Sequence, residues 1–538
     1  MRDHRTWIAI GVACLALPRP GDAPAADAAR KPVEVPRATR DARALAATID
    51  RLLAEKWAEA RVIPAGPADD GEYLRRVSLD LVGKIPTAAD AREVIEDLSP
   101  DKRSRLVEKL LDSPAYTARA TEIWRQLLLP EADTEGQARF AAPAFEAWLR
   151  KKVIDEVGYD KMVREILTAR LGARATAPAN PNARPEPSPA AFYTAKEGKP
   201  ENLAAGASRV FLGVRLECAQ CHNHPFARWK REEFWGLAAF FAGVQRQGPE
   251  DGYGSVREVA NRHELAIPGT EKIVKAAFLE GPPPVWKAKA EPREVLADWI
   301  TSPKNPYFAR AAVNRVWARF FGTGLVDPVD DMGGDNLPSH PALLDELARQ
   351  FVEHDYELKY LIRAITATRA YGLTSALDRP EPTPPFLFSA MSVRGLSAGQ
   401  LFSSLAQATG FRDGAEGSMT DVGPRGRFLE LFANRDEKPT EAQTSILQAL
   451  TLMNGQIVTG ATSLEVGDTL AAVAEAPYLD TAGRVEELFL AALTRKPRPD
   501  ESALMVGYIE KAAPDDRSKA LADVFWAILN GPEFKHNH

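Results

Sequence analysis

The residues best suited to chemistry lie in the stretch LECAQCHNHPF, at positions 216–226. Cys218, Cys221 and His222 are spaced as C-x-x-C-H, the form typical of covalent haem attachment. In that chemistry two thiols reach the vinyl groups on one edge of a porphyrin, and the next residue places an imidazole beneath the iron. Two intervening residues allow one short helical turn to position all three groups. The spacing therefore predicts haem c as the cofactor, bound through Cys218, Cys221 and His222.

Other chemistries of the same residues stay open. Two cysteines at this spacing can close a small disulfide in an oxidising compartment. Zinc or another divalent metal could use His222 and His224 with the cysteines, but zinc takes four tetrahedral ligands, which one tight loop can hardly present. A distant ligand such as His263 or His340 would then be required. A structural turn, in which the histidines cap backbone groups, is the remaining alternative.

A haem iron bound at His222 also has a sixth coordination position. His224 follows His222 too closely to reach the opposite face of the same ring. Met332 and His340 are the candidate distal ligands, because both lie in the loop PVDDMGGDNLPSHP rather than in a helical apolar pattern. A five-coordinate haem is the alternative.

The same loop is rich in carboxylates. Such a density of acidic side chains could bind Ca²⁺ or another hard cation, or supply an acid and a base for hydrolysis. The alternative is a turn-rich loop whose aspartates cap backbone donors. The acidic residues are Asp327, Asp330, Asp331 and Asp335.

The elements around these groups are predicted to be helices. Asn314 and Arg315 lie on an otherwise apolar helix, and a buried Arg315 is expected to pair with Asp330 or Asp331. Aromatic residues crowd the cysteine motif, where they either line a haem pocket or fill the core. These are Phe226, Trp229, Phe234, Trp235, Phe240 and Phe241.

The chain as a whole predicts a mainly α, multi-helix protein in two parts. Amphipathic patterns with helical spacing cover most of its 538 residues. Residues 245–292 differ, with Gly, Pro and short β-like runs such as HELAI and EKIVKAAF, and predict a small β or irregular insert. No segment after the N-terminus reaches the roughly 18 apolar residues of a transmembrane helix.

The N-terminus resembles an export signal. Arg2 and Arg5 precede the short apolar stretch Trp7–Leu17, and small residues follow up to position 28. Cleavage there leaves Cys218 and Cys221 as the cysteines of a periplasmic or secreted protein. A lipid anchor at Cys14 is the less favoured alternative, because Gly11 is a poor residue three places before a lipidated cysteine. The net charge of −6 argues against non-specific nucleic-acid binding.

Long stretches resemble two domain families of unknown function. FLGVRLECAQCHNHPFARW and the following EEFWGLAAFFAGV resemble the planctomycete secreted cytochrome-like domain, as does the upstream DGEYLRRVSLDLVGK. LADWITSPKNPYFARAAVNRVWARFFGTGL and the loop after it resemble the companion planctomycete secreted domain. The first resemblance marks Cys218, Cys221, His222 and His224. The second marks Asn314, Arg315, Asp330, Asp331 and His340.

The resemblance implies an exported, mainly helical protein in two parts but supplies no reaction. Relatives often contain a separate cytochrome c module, whereas this sequence has no second C-x-x-C-H, which argues against a multi-haem role. We expect a signal peptide at 1–28, a cytochrome-like domain at 41–245, an insert at 246–292 and a helical domain at 293–538.

The leading functional hypothesis is an exported redox protein that transfers electrons through one haem c to an unknown partner. The alternatives are a metal-dependent hydrolase or binding protein for extracellular polymers, and a non-catalytic helical surface or scaffold protein with a Cys218–Cys221 disulfide. No catalytic residue is assigned.

Overall fold

The computed structural model describes most of the chain after the predicted signal segment. The described residues are 37–172, 186–225, 227–247, 255–286, 290–333, 336–376, 383–411, 423–432, 455, 460, 462–464 and 467–538. The predicted signal peptide and Cys14 lie outside them, as do Phe226 and Asp335.

The prediction of a mainly α, multi-helix fold is confirmed. Capping residues set many helix ends: Asp69 accepts a hydrogen bond from the backbone N–H of Glu72 at 2.8 Å, and Gly83 closes the same helix with a φ of 74°. The helices before the insert are α1 (Arg37–Ala60), α2 (Asp70–Val82), α3 (Ala88–Glu96), α4 (Lys102–Leu111), α5 (Pro114–Leu128), α6 (Gly136–Ile154), α7 (Tyr159–Leu167), α8 (Ala191–Ala195), α9 (Pro200–Ala207) and α10 (Arg231–Ala238).

The predicted β insert contains two short antiparallel hairpins. Val244–Gln247 (β1) pairs with Ser255–Glu258 (β2), and Glu264–Ala266 (β3) pairs with Ile273–Lys275 (β4). Both hairpins lie between α10 and the next helix. The insert is therefore a pair of small ribbons beside a helical body.

Helices resume after the insert. They are α11 (Pro292–Ile300), α12 (Phe308–Phe321), α13 (Pro341–Glu353), α14 (Leu358–Thr366), α15 (Ala398–Thr409), α16 (Pro424–Leu431), α17 (Asp468–Glu475), α18 (Thr481–Leu493), α19 (Pro499–Lys511) and α20 (Arg517–Asn530). A last short strand, His536–Asn537 (β6), pairs with Arg394–Gly395 (β5).

Two hydrophobic cores hold these helices together. The larger core gathers buried side chains from Ala42 on α1 to Met391, and Leu490 joins it from α18. The smaller core is built mainly from residues 401–534, with Leu79 and Ile85 from the first part of the chain. Helices on both sides of the insert therefore share one core. The domain boundaries expected at 245 and 292 stay a prediction.

None of the described helices combines the length and the apolar character that crossing a membrane requires.

Candidate functional site

The cysteine motif forms an exposed turn on the larger core. Residues Glu217–Gln220 form one 3₁₀ turn, and Cys221 continues it with φ −97° and ψ −38°. Cys218 and Cys221 are exposed and free, whereas Ala219 between them is fully buried. The turn is thus anchored by its alanine and presents both sulfurs to solvent.

The two histidines of the motif are held in different ways. His222 is exposed, and its Nδ1 lies 2.7 Å from the carbonyl oxygen of Asn223. Its Nε2 forms no hydrogen bond and no ion pair within the part of the chain that the structure describes. His224 instead closes the turn. Its Nδ1 accepts a hydrogen bond from the backbone N–H of Ala227 at 2.9 Å, and its backbone N–H donates to the carbonyl oxygen of Trp229.

Helix α10 fixes the motif from below. The carbonyl oxygen of Gln220 accepts hydrogen bonds from Trp235 Nε1 at 3.0 Å and from Arg231 Nε at 3.2 Å. The backbone N–H of Arg231 also donates to Asn223 Oδ1 at 3.0 Å. The carbonyl bonded by His222 therefore belongs to a residue that the start of α10 already positions.

The aromatic residues around the motif belong to the core. Trp229 and Trp235 are 2% and 4% exposed, and Phe234, Phe240 and Phe241 are at most 1% exposed. Phe240 stacks on Phe278 with ring centroids 5.2 Å apart. Of the two roles predicted for these aromatic residues, the described ones pack in the core. A porphyrin joined to the exposed sulfurs would therefore lie on the outer surface.

Asp330 connects the acidic loop to the segment that leads into the motif. This buried carboxylate accepts hydrogen bonds from Arg209 Nε at 2.7 Å and from Arg215 Nε at 2.8 Å. Burial by itself would raise the pKa of Asp330, but the hydrogen bonds from Arg215 and Arg209 outweigh it and lower the pKa. Asp330 is therefore an ionised structural partner of two arginines.

Met332 lies against the same segment. Its backbone N–H donates to the carbonyl oxygen of Gly213 at 2.8 Å. Gly213 has a φ of +67°, and a Cβ there would come within 3.3 Å of Met332 Sδ. A small residue in a left-handed conformation is thus what lets Met332 approach the chain shortly before Cys218.

His340 lies in different surroundings from Met332. It is 5% exposed, its Nδ1 lies 3.0 Å from Ser339 Oγ, and its ring centroid is 5.5 Å from that of Phe388. Within the described residues, its Nε2 is buried without a hydrogen-bond partner. Burial, with a further contribution from Lys56, lowers the pKa of His340 to about 4, so the ring is neutral at pH 7.

The expected pairing of Arg315 with a carboxylate is wrong. Its guanidinium donates to the carbonyl oxygen of Arg209 at 3.1 Å, while Asp330 is taken by Arg209 and Arg215. Asn314 holds the start of the acidic loop instead: its side chain donates to the carbonyl of Val326 at 2.8 Å and accepts from its N–H at 2.9 Å.

The remaining predicted metal ligand is His263 in the insert. Its ring packs on Trp286, with ring centroids 4.6 Å apart. Among the residues that the structure describes, no group of three or more His, Cys, Asp or Glu side chains is arranged to hold a metal ion.

Three arginines that support the motif were not predicted from the sequence. Arg209 and Arg215 flank the apolar VFLGV segment, and Arg231 opens α10. The sequence signal for Arg209 and Arg215 is charge on both sides of an apolar stretch. Two arginines that bracket a buried segment need an anionic partner, and the acidic loop is the predicted element that could supply it. Their partner, Asp330, lies more than a hundred residues away.

The site and fold thus define a helical protein with an exposed C-x-x-C-H turn. Residues 48–246 match a family described as a protein of unknown function (DUF1549). Residues 292–425 match a second family with the same description (DUF1553). The motif lies in the first match, and Asp330, Met332 and His340 lie in the second. No curated protein and no solved structure matches the chain.

Proposed function

We propose that the chain is an exported electron-transfer protein that holds one haem c on its surface. Cys218 and Cys221 would each add across one porphyrin vinyl group, with sulfur bonding one vinyl carbon and the thiol hydrogen passing to the other. His222 would ligate the iron through Nε2. A haem held there would supply reversible one-electron chemistry.

The orientation of His222 is the observation on which the proposal rests. A histidine that ligates a metal commonly uses its second ring nitrogen in a hydrogen bond to a carbonyl or carboxylate, which fixes the ring and the tautomer. His222 has this arrangement, with Nδ1 on the Asn223 carbonyl and Nε2 open. Two free, exposed thiols on the same turn complete a donor set that fits haem c.

The exposure of the motif favours electron exchange over substrate turnover. Cys218, Cys221 and His222 are on the outer surface, where a redox partner can approach directly. The aromatic side chains beneath them fill the core. Export agrees with this chemistry, because haem attachment to C-x-x-C-H takes place outside the cytoplasm.

The arrangement of the acidic loop supports the same proposal. Asp330 and Met332 both bind the segment from Arg209 to Arg215 that precedes the motif. In this view the DUF1553-like segment stabilises the turn, and Met332 and His340 stay the two candidate distal ligands. His340 packs on Phe388.

The test is expression in a bacterial periplasm with and without haem-maturation proteins. We expect a haem stain that survives denaturing electrophoresis only with maturation. Cys218→Ser and Cys221→Ser should each leave one thioether and a weaker stain, and the variant with both changes should lose the stain. Glu217→Gln, an exposed change in the same turn, should keep it.

Each alternative function gives a different result in that experiment. Colourless protein with stoichiometric zinc would favour the metal-dependent hydrolase or binding protein. Colourless, metal-free protein with a Cys218–Cys221 bond would favour the scaffold. Either result, in cells that mature another cytochrome c, would contradict the haem proposal.

A further inference from the structure

A second feature, separate from the motif, is a small cavity between helices α5, α12 and α14 and the end of α2. Its volume is about 200 Å³. Most of its lining is apolar, with side chains from all three helices. These include Ala120, Trp124, Val316, Phe320, Leu358 and Ile362.

Two arginines line the same cavity. Arg315 and Arg319 are four residues apart on α12, so their side chains share one face of the helix. Arg315 donates to the carbonyl of Arg209 at 3.1 Å, and Arg319 donates to the carbonyl of Asp80 at 2.7 Å. Within the described residues, neither guanidinium forms an ion pair with a carboxylate, and Arg315 Nε is buried without any hydrogen-bond partner.

Asp80 also lines the cavity, and the carboxylates of Asp80 and Asp330 attract Arg319 and Arg315 from a distance. Both carboxylates, however, accept their hydrogen bonds from other side chains. Like charges four residues apart on a helix repel each other, and a poorly solvated charge is unfavourable without a partner. Burial, and then repulsion from Arg119, lowers the pKa of Arg319 to about 9. Burial also lowers the pKa of Arg315. An anion placed between the two would relieve both costs.

We propose that this cavity binds a small monocarboxylate with an apolar body. The carboxylate would accept charge-assisted hydrogen bonds from Arg315 and Arg319. The apolar body would lie against Trp124 and Ile362. An apolar cavity of about 150 Å³ is large enough for benzene, so the body is about the size of one aromatic ring or a short alkyl chain.

The lining distinguishes this ligand from other anions. Inorganic phosphate or sulfate would meet the arginines but would leave the apolar walls of α5 and α14 unfilled. A neutral apolar molecule would fill the walls but leave the guanidinium groups without an anion. A carboxylate with an apolar body suits both the guanidinium groups and the apolar walls.

The test is calorimetric titration of the full chain with phenylacetate. Phenylacetamide, which has nearly the same shape and no charge, is the matched probe. We expect phenylacetate to bind saturably and about tenfold or more tightly than the amide, because a hydrogen bond to a charged group contributes about 1.5–3 kcal/mol.

Variants separate the charge from the apolar walls. Arg315→Gln and Arg319→Gln should each weaken phenylacetate binding about tenfold, while Arg310→Gln should not. Arg310 lies on the same helix and pairs with Asp345 outside the cavity. Ala120→Leu, which fills the cavity and keeps both arginines, should abolish binding of both probes.

Three results would overturn the proposal. These are no saturable binding of phenylacetate to the unmodified chain, equal affinity for the acid and the amide, or full binding by Ala120→Leu. The comparison of probes and the Ala120→Leu variant decide the question even where an arginine variant does not fold.

Discussion

His222 and His224 show how one turn gives two like residues different tasks. His222 uses Nδ1 on a carbonyl and leaves Nε2 open, whereas the Nδ1 of His224 accepts the N–H of Ala227. The first arrangement suits a ligand to iron, and the second closes the turn. Two histidines in the same turn can therefore have different roles.

Alanine substitutions separate these tasks. In protein from cells with haem maturation, His222→Ala is expected to abolish the reduced-minus-oxidised spectrum of the unmodified chain, because the haem of the proposed function would lose the imidazole that holds its iron. His224→Ala should keep that spectrum and lose about 1 kcal/mol of unfolding free energy with its hydrogen bond. A normal spectrum from His222→Ala would assign the iron to another residue.

His340 makes the stability of the protein depend on pH. Its pKa is about 4 in the folded chain, below its ordinary value of 6.5, so the unfolded chain binds the proton more tightly. The folded state is at its full stability above pH 6.5 and loses stability as the pH falls from 6.5 towards 4. The loss attributable to this ring is at most about 3 kcal/mol, at 1.36 kcal/mol per pKa unit.

His340→Phe tests that dependence. The phenyl ring suits the contact with Phe388 and cannot take up a proton. Urea unfolding from pH 6.5 to pH 4 should show a smaller loss of free energy for the variant than for the unmodified chain. His538, whose pKa is also lowered to about 4 by burial and by Arg75, contributes equally to both. Identical pH profiles would show that His340 is not buried as described.

At the scale of elements, Asp330 joins the acidic loop to the π-helical turn Ser208–Leu212 and to Arg215. The arginines are about half exposed, whereas the carboxylate is almost fully buried. Removing the anion therefore leaves two cations that water can solvate in part. The main effect of removing the anion is therefore that the chain between Arg209 and the motif is held less firmly in place.

Asp330→Asn is expected to loosen that segment. We expect a loss of about 1–2 kcal/mol in unfolding free energy, because charge-assisted hydrogen bonds become neutral ones. Amide hydrogen exchange should become faster at residues 209–222 and stay unchanged on α20. Asp345→Asn, which removes an exposed partner of Arg310, is the control and should change stability by less than about 0.5 kcal/mol. Unchanged exchange at 209–222 would contradict the link.

Much at this scale could be predicted from local sequence. The helices around the motif follow apolar spacing, Gly322 ends α12 with a φ of 80°, and the runs HELAI and EKIVKAAF contain the second hairpin. The pairing of Asp330 with Arg209 and Arg215 could not, because it depends on tertiary contacts between distant segments. The partner of Arg315 could not be predicted for the same reason.

At the scale of the whole molecule, two fully buried arginines on α2 connect distant parts of the chain. Arg75 donates to the carbonyls of Ala492 at 2.9 Å and Phe534 at 2.9 Å, and Arg76 donates to the carbonyl of Tyr371. Nothing in the local pattern of α2 predicts their burial. They align α2 with both cores and make the two parts of the chain depend on each other.

The shared core predicts that residues 37–246 do not fold alone. Their buried side chains pack in the core that also contains Phe308 and Trp317 of α12 and Tyr360 of α14. The isolated segment should lack a cooperative urea transition and near-ultraviolet dichroism, and mixing it with residues 290–538 should restore both. A cooperative transition from residues 37–246 alone would contradict the role of the shared core and favour independent domains.

Covalent attachment at the motif is tested most directly by the mass of one peptide. Protein matured in the periplasm is digested without reduction, and the peptide that contains Cys218, Cys221 and His222 is identified by mass spectrometry. We predict that it has gained one haem through both sulfurs and that neither sulfur reacts with iodoacetamide. An unmodified peptide whose two thiols are alkylated, from cells that mature another cytochrome c, would contradict the proposed function.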